Sequence, residues 1–109
     1  MFAQITTLQL RPGKLDEFIR IFQDAIAPAA AAQHGFGGIT LLTDPSIGKV
    51  IAVGLWEREA EMLPGDIGYG EEQFAGVGSL LAERPAREIY QVSVQVELTE
   101  QGSAHIRGI

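Results

Sequence analysis

Apolar and β-branched residues run through Phe2 to Leu10 (FAQITTLQL), and the run stops at Arg11-Pro12-Gly13, a turn signal. This predicts a first strand. From Lys14 the period changes: Leu15, Phe18, Ile19, Phe22, Ala25 and Ile26 recur at steps of three and four. Asp16, Glu17, Arg20, Gln23 and Asp24 occupy the opposite side, so the segment predicts an amphipathic helix. Asp16 and Glu17 fall in its first turn, where negative charge suits the helix dipole. Pro28 ends or kinks this helix, and Ala29 to Ala32 add a last turn before Gly35.

Phe36 to Asp44 predicts a second strand and Lys49 to Glu57 a third, joined by the turn residues Asp44-Pro45-Ser46-Ile47-Gly48. So short a link makes these two strands antiparallel neighbours. Arg58 to Leu63 is helix-prone but meets Pro64-Gly65-Asp66, and Glu71 to Glu83 resumes a helical pattern through Phe74, Val77 and Leu81. The second helix therefore reads as a broken element. Ile89 to Leu98 alternates cleanly, with Tyr90, Val92, Val94, Val96 and Leu98 on one side and Gln91, Ser93, Gln95 and Glu97 on the other. It predicts a half-exposed fourth strand. Residues 1–98 form one domain in this reading, and Thr99 to Ile109 is a tail of undefined structure.

The order β-α-β-β-α-β is the split βαβ motif, an α+β, ferredoxin-like fold. Right-handed crossovers place both helices on one face of a four-stranded antiparallel sheet. The other face should then be polar, yet strand 3 is apolar on both sides: Ile51, Val53 and Leu55 on one, Val50, Ala52 and Trp56 on the other. Strand 2 opposes Ile39 and Leu41 to Leu42. In strand 1, Phe2, Leu8 and Leu10 share a side with Gln4 and Thr6 while Ala3 and Ile5 point away. Strands apolar on both sides are buried on both sides. Either the tail folds over the second face or a second copy of the chain covers it. A homodimer formed sheet against sheet, closing a dimeric α/β barrel, is the expectation here because two-fold dimers are the commonest oligomers.

The chain is 109 residues long, with 46% hydrophobic and 20% charged residues, which fits one globular domain and excludes a disordered one. Its net charge of −6 shows no basic patch, so no nucleic-acid or membrane partner is expected. Cysteine is absent, which removes disulfides, thiolate nucleophiles and cysteine metal sites, and the two histidines are far apart in sequence. Neither a signal peptide nor a run of about 20 apolar residues is recognisable, and a cytoplasmic location is the default expectation.

Leu10-Arg11-Pro12-Gly13-Lys14 closing strand 1, then Leu15-Asp16-Glu17-Phe18, Pro28, Gly35-Phe36-Gly37-Gly38, the Asp44-Pro45 hairpin and Leu55-Trp56-Glu57 follow one another in an order and spacing that resemble antibiotic biosynthesis monooxygenase (ABM) domains of the dimeric α/β-barrel superfamily. The resemblance spans roughly residues 2 to 98. It implies a ligand pocket between each sheet and its own helices, and an activity drawn from a mixed group: cofactor-free oxidation of phenols and quinols, haem degradation, or none. The haem-degrading branch carries Asn, Trp and His where this chain has Thr6, Gly68 and Gly78, so haem degradation is not implied. The segment Pro64 to Gly70 reads equally as a lid over a pocket mouth and as a surface excursion.

Oxygenation without a metal or cofactor needs an apolar pocket, a group to take a phenolic proton and donors for the resulting oxyanion. Gln4 and Thr6 are candidates to bind substrate oxygens, with Trp56, Tyr69 and Tyr90 as further substrate contacts. Each has a plainer reading: a β-former satisfied by backbone for Thr6, a core ring for Trp56, and surface or interface residues for the tyrosines. His34 is the candidate catalytic base, although a histidine before glycine also caps a helix C-terminus. Glu57, Glu59 and Glu61 are spaced by two, which spreads them around a helix instead of converging them on a metal. The reading is therefore a homodimeric, cofactor-independent monooxygenase for a small apolar or aromatic ligand, a phenol or quinol. The alternative is a non-catalytic binding or assembly module of the same fold.

Overall fold

The computed structural model describes residues 1–61 and 75–108. Strand β1 (Phe2–Gln9) leads through Gly13, whose φ of 78° suits glycine, into helix α1 (Leu15–Ile21). The helix continues without a break as a π-helical segment (Phe22–Ile26) and then α2 (Ala27–Ala31). Of the two outcomes expected at Pro28, an end or a kink, the end does not occur: the helix runs on to Ala31, the last turn expected of the alanine run. Proline lacks the N–H that would bond the carbonyl four residues back. The π segment widens the register just ahead of it, and the Ala27 N–H donates to the Phe22 carbonyl five residues earlier.

Strands β2 (Phe36–Asp44) and β3 (Lys49–Trp56) form the expected hairpin. The Asp44 carboxylate accepts from the Ser46 N–H at 3.1 Å and the Ser46 hydroxyl at 2.6 Å, which makes the turn. Strand β4 (Ala86–Gln91) completes a four-stranded sheet in the order β2-β3-β1-β4, with every pairing antiparallel. This is the ferredoxin-like arrangement that the element order predicts.

On the helix side, Leu8, Leu10, Phe18, Phe22, Val50, Val77, Leu80 and Leu81 form the main core. A second buried cluster holds Ala30 and Trp56, with Phe2, Phe36 and Ile39 packed against it. The opposite, outer face carries Ala3, Ile5, Ile51, Val53, Leu55 and Leu42, as the strand registers require.

Two elements differ from expectation. A 3-10 turn (Glu59–Glu61) replaces the start of the second helix, and Phe74 lies outside the described residues. Helix α3 (Ala75–Gly78) stops well short of Glu83. The backbone beyond it is used elsewhere: the Arg11 N–H donates to the Leu80 carbonyl and the Ala82 N–H to the Gln9 carbonyl, both at 2.8 Å. This pairing holds Leu80 and Leu81 in the core, and a helix through them would forgo it.

The strand expected over Ile89–Leu98 is two strands. The β4 ladder runs along β1 until the Val92 N–H reaches the Met1 carbonyl at 2.9 Å. After Ser93 the chain leaves the sheet, and β5 (Val94–Leu98) pairs with β6 (Ala104–Gly108) as a separate ribbon. Residues 104–108 of the tail therefore form a strand, and the apolar side of its ribbon is open: Val96 is 58% and Leu98 75% exposed.

Candidate functional site

Central strand β1 positions the site. Its even-numbered residues face the helices, so Gln4 and Thr6 point into the helix side of the sheet between Phe2 and Leu8. Register sets their neighbours. Gln4 lies opposite Gly54 on β3 and Ile89 on β4, and Thr6 lies opposite Ala52 and Arg87. Directly opposed residues in an antiparallel pair present their side chains on one face, about 5 Å apart. Gln4, Thr6, Arg87 and Ile89 therefore share one surface. Gln4 is buried, whereas Arg87 and Ile89 on edge strand β4 are exposed. A buried amide, a hydroxyl and an open guanidinium line up across two adjacent strands.

Arg87 is absent from the sequence reading because the fourth strand was expected to begin at Ile89, after it. The alternation does extend back to Arg87, but only the β1–β4 register shows that it falls beside Thr6.

Trp56 occupies the same side of β3, yet it is core and not an open wall. Its ring is 1% exposed, packs on Ala30 and meets the Phe36 ring edge-on at 5.3 Å. Gly54 makes room for it, since a Cβ there would sit 3.1 Å from the indole Nε1. Among the described residues that Nε1 has no hydrogen-bond partner, and a buried unpaired donor costs roughly 1–3 kcal/mol.

Tyr90 lies on the other face of the sheet, opposite Ala3, and is exposed. Its hydroxyl donates to the Glu88 carboxylate two residues earlier on the same face. That hydrogen bond, followed by the negative charge of Glu88, raises the phenol above its ordinary range. A folded-state value above the unfolded one gives a stabilising contact that is complete below the usual phenol range and lost as pH rises through the raised value. In a Tyr69→Phe background, ultraviolet titration should show Tyr90 ionising later than a free tyrosine, and Glu88→Gln should bring it back down. An unchanged titration curve in Glu88→Gln would refute the pairing.

His34 sits in the exposed turn between α2 and β2. Tyr69 and the Pro64–Gly70 segment lie outside the described residues. Among the described residues no cluster of histidine and carboxylate side chains could hold a metal ion. No described helix is long and apolar enough to cross a membrane. A separate open cleft of ≈ 670 Å³ lies at the far end of β1, lined by Gln9, Leu10, Pro12, Leu15, Pro45 and Ile47 among others. It is five residues of strand, about 17 Å, from Gln4 and shares no residue with the Gln4–Thr6 surface.

Residues 1–63 match the family model described as "Antibiotic biosynthesis monooxygenase". Two uncharacterised Mycobacterium tuberculosis proteins are 32% identical over 62 residues, which is 57% of this chain. The chain spans 28% of the length of these curated relatives. Among solved structures, SnoaB, a cofactor-independent oxygenase from Streptomyces nogalater, superposes with a TM-score of 0.66 at 18% identity, covering 84% of this chain and 91% of that one. Rv0793 from Mycobacterium tuberculosis gives 0.63 at 19% identity, over 84% and 93%. At such identities these structures establish the shared fold.

Proposed function

The chain belongs to the antibiotic biosynthesis monooxygenase family, and on that premise we propose that it is a cofactor-independent monooxygenase acting on a small phenol or quinol. The observation carrying this reading is the placement of Arg87 directly opposite Thr6, beside buried Gln4, on the helix-facing side of the sheet. The chemistry needs the substrate as its anion. Loss of the hydroxyl proton gives a phenolate, which passes an electron to O₂; the radical pair then combines at a ring carbon. The resulting peroxide loses water and leaves a carbonyl, so phenol plus O₂ gives quinone plus H₂O. A guanidinium next to a hydroxyl and an amide is suited to hold the phenolate oxygen and lower the cost of forming it. Ile89, Ala52 and Ile39 supply apolar surface for the ring.

Oxygen uptake with a panel of phenols and quinols tests the reading. Turnover is expected, with kcat/KM falling about 10²–10³-fold in Arg87→Ala, the usual loss for one oxyanion donor, and by a smaller factor in Thr6→Ala. Absence of turnover, or an unchanged rate in Arg87→Ala, would refute it. The second reading, a non-catalytic binding module, draws on one observation: no imidazole or carboxylate of the described strands shares the face with Gln4 and Thr6. Quenching of the single tryptophan by aromatic ligands without oxygen uptake would favour that module. In the catalytic reading His34 is the candidate base, and His34→Ala should lower kcat.

We further propose a homodimer joined through the outer sheet faces. Its support is the apolar row Ile5, Ile51, Val53, Leu55 and Leu42 on the side of the sheet turned away from the main core, with Leu42 50% exposed.

A further inference from the structure

An amide has two unlike ends. Its NH2 donates, whereas its carbonyl oxygen only accepts and so repels an anion. Gln4 helps to hold a phenolate only with its NH2 end turned to the phenolate oxygen. It is the only buried polar or charged residue among the described ones. A glutamine side chain is long and free to turn, so a second group has to decide which end faces the ring.

Across the β1–β3 ladder Gln4 lies opposite Gly54, which brings no side chain of its own. Trp56 fills that slot: its Nε1 lies 3.1 Å from the place a Cβ at position 54 would take. Opposed Cβ positions in an antiparallel pair are about 5 Å apart, so the N–H edge of the indole comes within range of the Gln4 amide. Trp56 is fully buried, and its Nε1 has no hydrogen-bond partner among the described residues. Phenylalanine would fill the slot without burying a donor, and a buried donor left unpaired is uncommon. Trp56 and Arg87 also approach Gln4 from opposite corners. Trp56 stands on β3 opposite Phe2, and Arg87 stands on β4 opposite Thr6.

We infer that Trp56 is a positioning residue for Gln4: with a phenolate held at Thr6 and Arg87, the Trp56 Nε1–H donates to the Gln4 amide oxygen and turns the amide NH2 toward the phenolate. The inference rests on the phenol reading above and adds the group that sets the polarity of its neutral donor. No bond of substrate or protein breaks in this step; a hydrogen bond is gained in the complex.

Trp56 is the single tryptophan, so one indole N–H resonance reports on it. Saturating the full chain with hydroquinone, a simple quinol, in the absence of air should move that resonance downfield. Gln4→Ala should abolish the movement while the Arg87 amide resonance still responds. Trp56→Phe removes core volume as well as the donor, so its effect is compared in two backgrounds. With Gln4 present, kcat/KM for hydroquinone should fall about tenfold, and in Gln4→Ala the same change should cost nothing further. An indole resonance that stays in place while the Arg87 amide responds overturns the inference and leaves the phenol reading standing. So does a movement that survives Gln4→Ala, or a loss in Trp56→Phe that repeats in full without Gln4. Hydroquinone that moves no resonance, or that supports no oxygen uptake, overturns both.

Discussion

Val53→Glu is expected to convert the proposed homodimer into a single chain at micromolar concentration while leaving the fold intact. Val53 lies at the middle of the outer face, opposite Ile5 on β1 and Thr40 on β2. In the monomer a glutamate there extends into water beside aliphatic neighbours, a mild change. In a two-fold dimer the same substitution puts two carboxylates into the apolar contact, and an unpaired buried ion costs several kcal/mol. Each 1.4 kcal/mol is tenfold, so the dimer Kd should rise about a thousandfold or more. Gln23→Glu, on an exposed position of the helix, adds the same charge and should leave the mass unchanged. Sedimentation equilibrium reads both. A Val53→Glu chain that remains dimeric would show that the outer sheet face is not the interface.

The second large effect concerns stability. Phe18 is 1% exposed, faces the sheet from α1 and lies beside the Phe22 ring, with centroids 6.3 Å apart. Phe18→Ala removes a ring from the centre of the core and leaves a cavity, a loss of about 3–5 kcal/mol. Domains of this size are stable by about 5–15 kcal/mol, so the variant should lose between about a fifth of its stability and all of it. Urea unfolding should show the midpoint falling by about 2 M with the slope unchanged. Measuring in the Val53→Glu background removes the contribution of dimerisation. Ile47→Ala is the contrast: Ile47 is 57% exposed in the hairpin and should change stability by less than about 0.5 kcal/mol. Equal losses in the two variants would contradict the placement of the core.

Much of the fold was legible because it rests on period. Steps of three and four from Leu15 to Ile26 specify one helix, and alternation in strands 1 to 3 specifies a sheet with two apolar sides. At Pro28 the sequence left an end and a kink open, and the fold takes the helix past it through a π segment, with Phe22 and Ala30 packed into the two core clusters. The second helix misled. Leu80 and Leu81 fit a helical pattern, but their backbone groups pair with the end of β1, a contact some 70 residues away in sequence.

The candidate site divides the same way. Gln4 and Thr6 stood out as polar residues among apolar neighbours, and the fold does turn them toward the helices. Trp56 followed the core reading. Tyr90 and Gln91 are adjacent in sequence and face opposite sides of the sheet, so assigning either one required knowing which face of β4 met Gln4. Arg87 entered the site only through that register.

By itself the sequence determined the element order, the α+β class, the two-sided apolar sheet and the family. Each of these depends on residue type and spacing over short distances. Only the tertiary structure decided which strand stands beside which residue of β1, where the second helix stops, and that the last strand leaves the sheet to pair with the tail. Those outcomes are competitions among distant segments for the same backbone hydrogen bonds and the same buried space, and spacing along the chain carries no information about which distant segment wins.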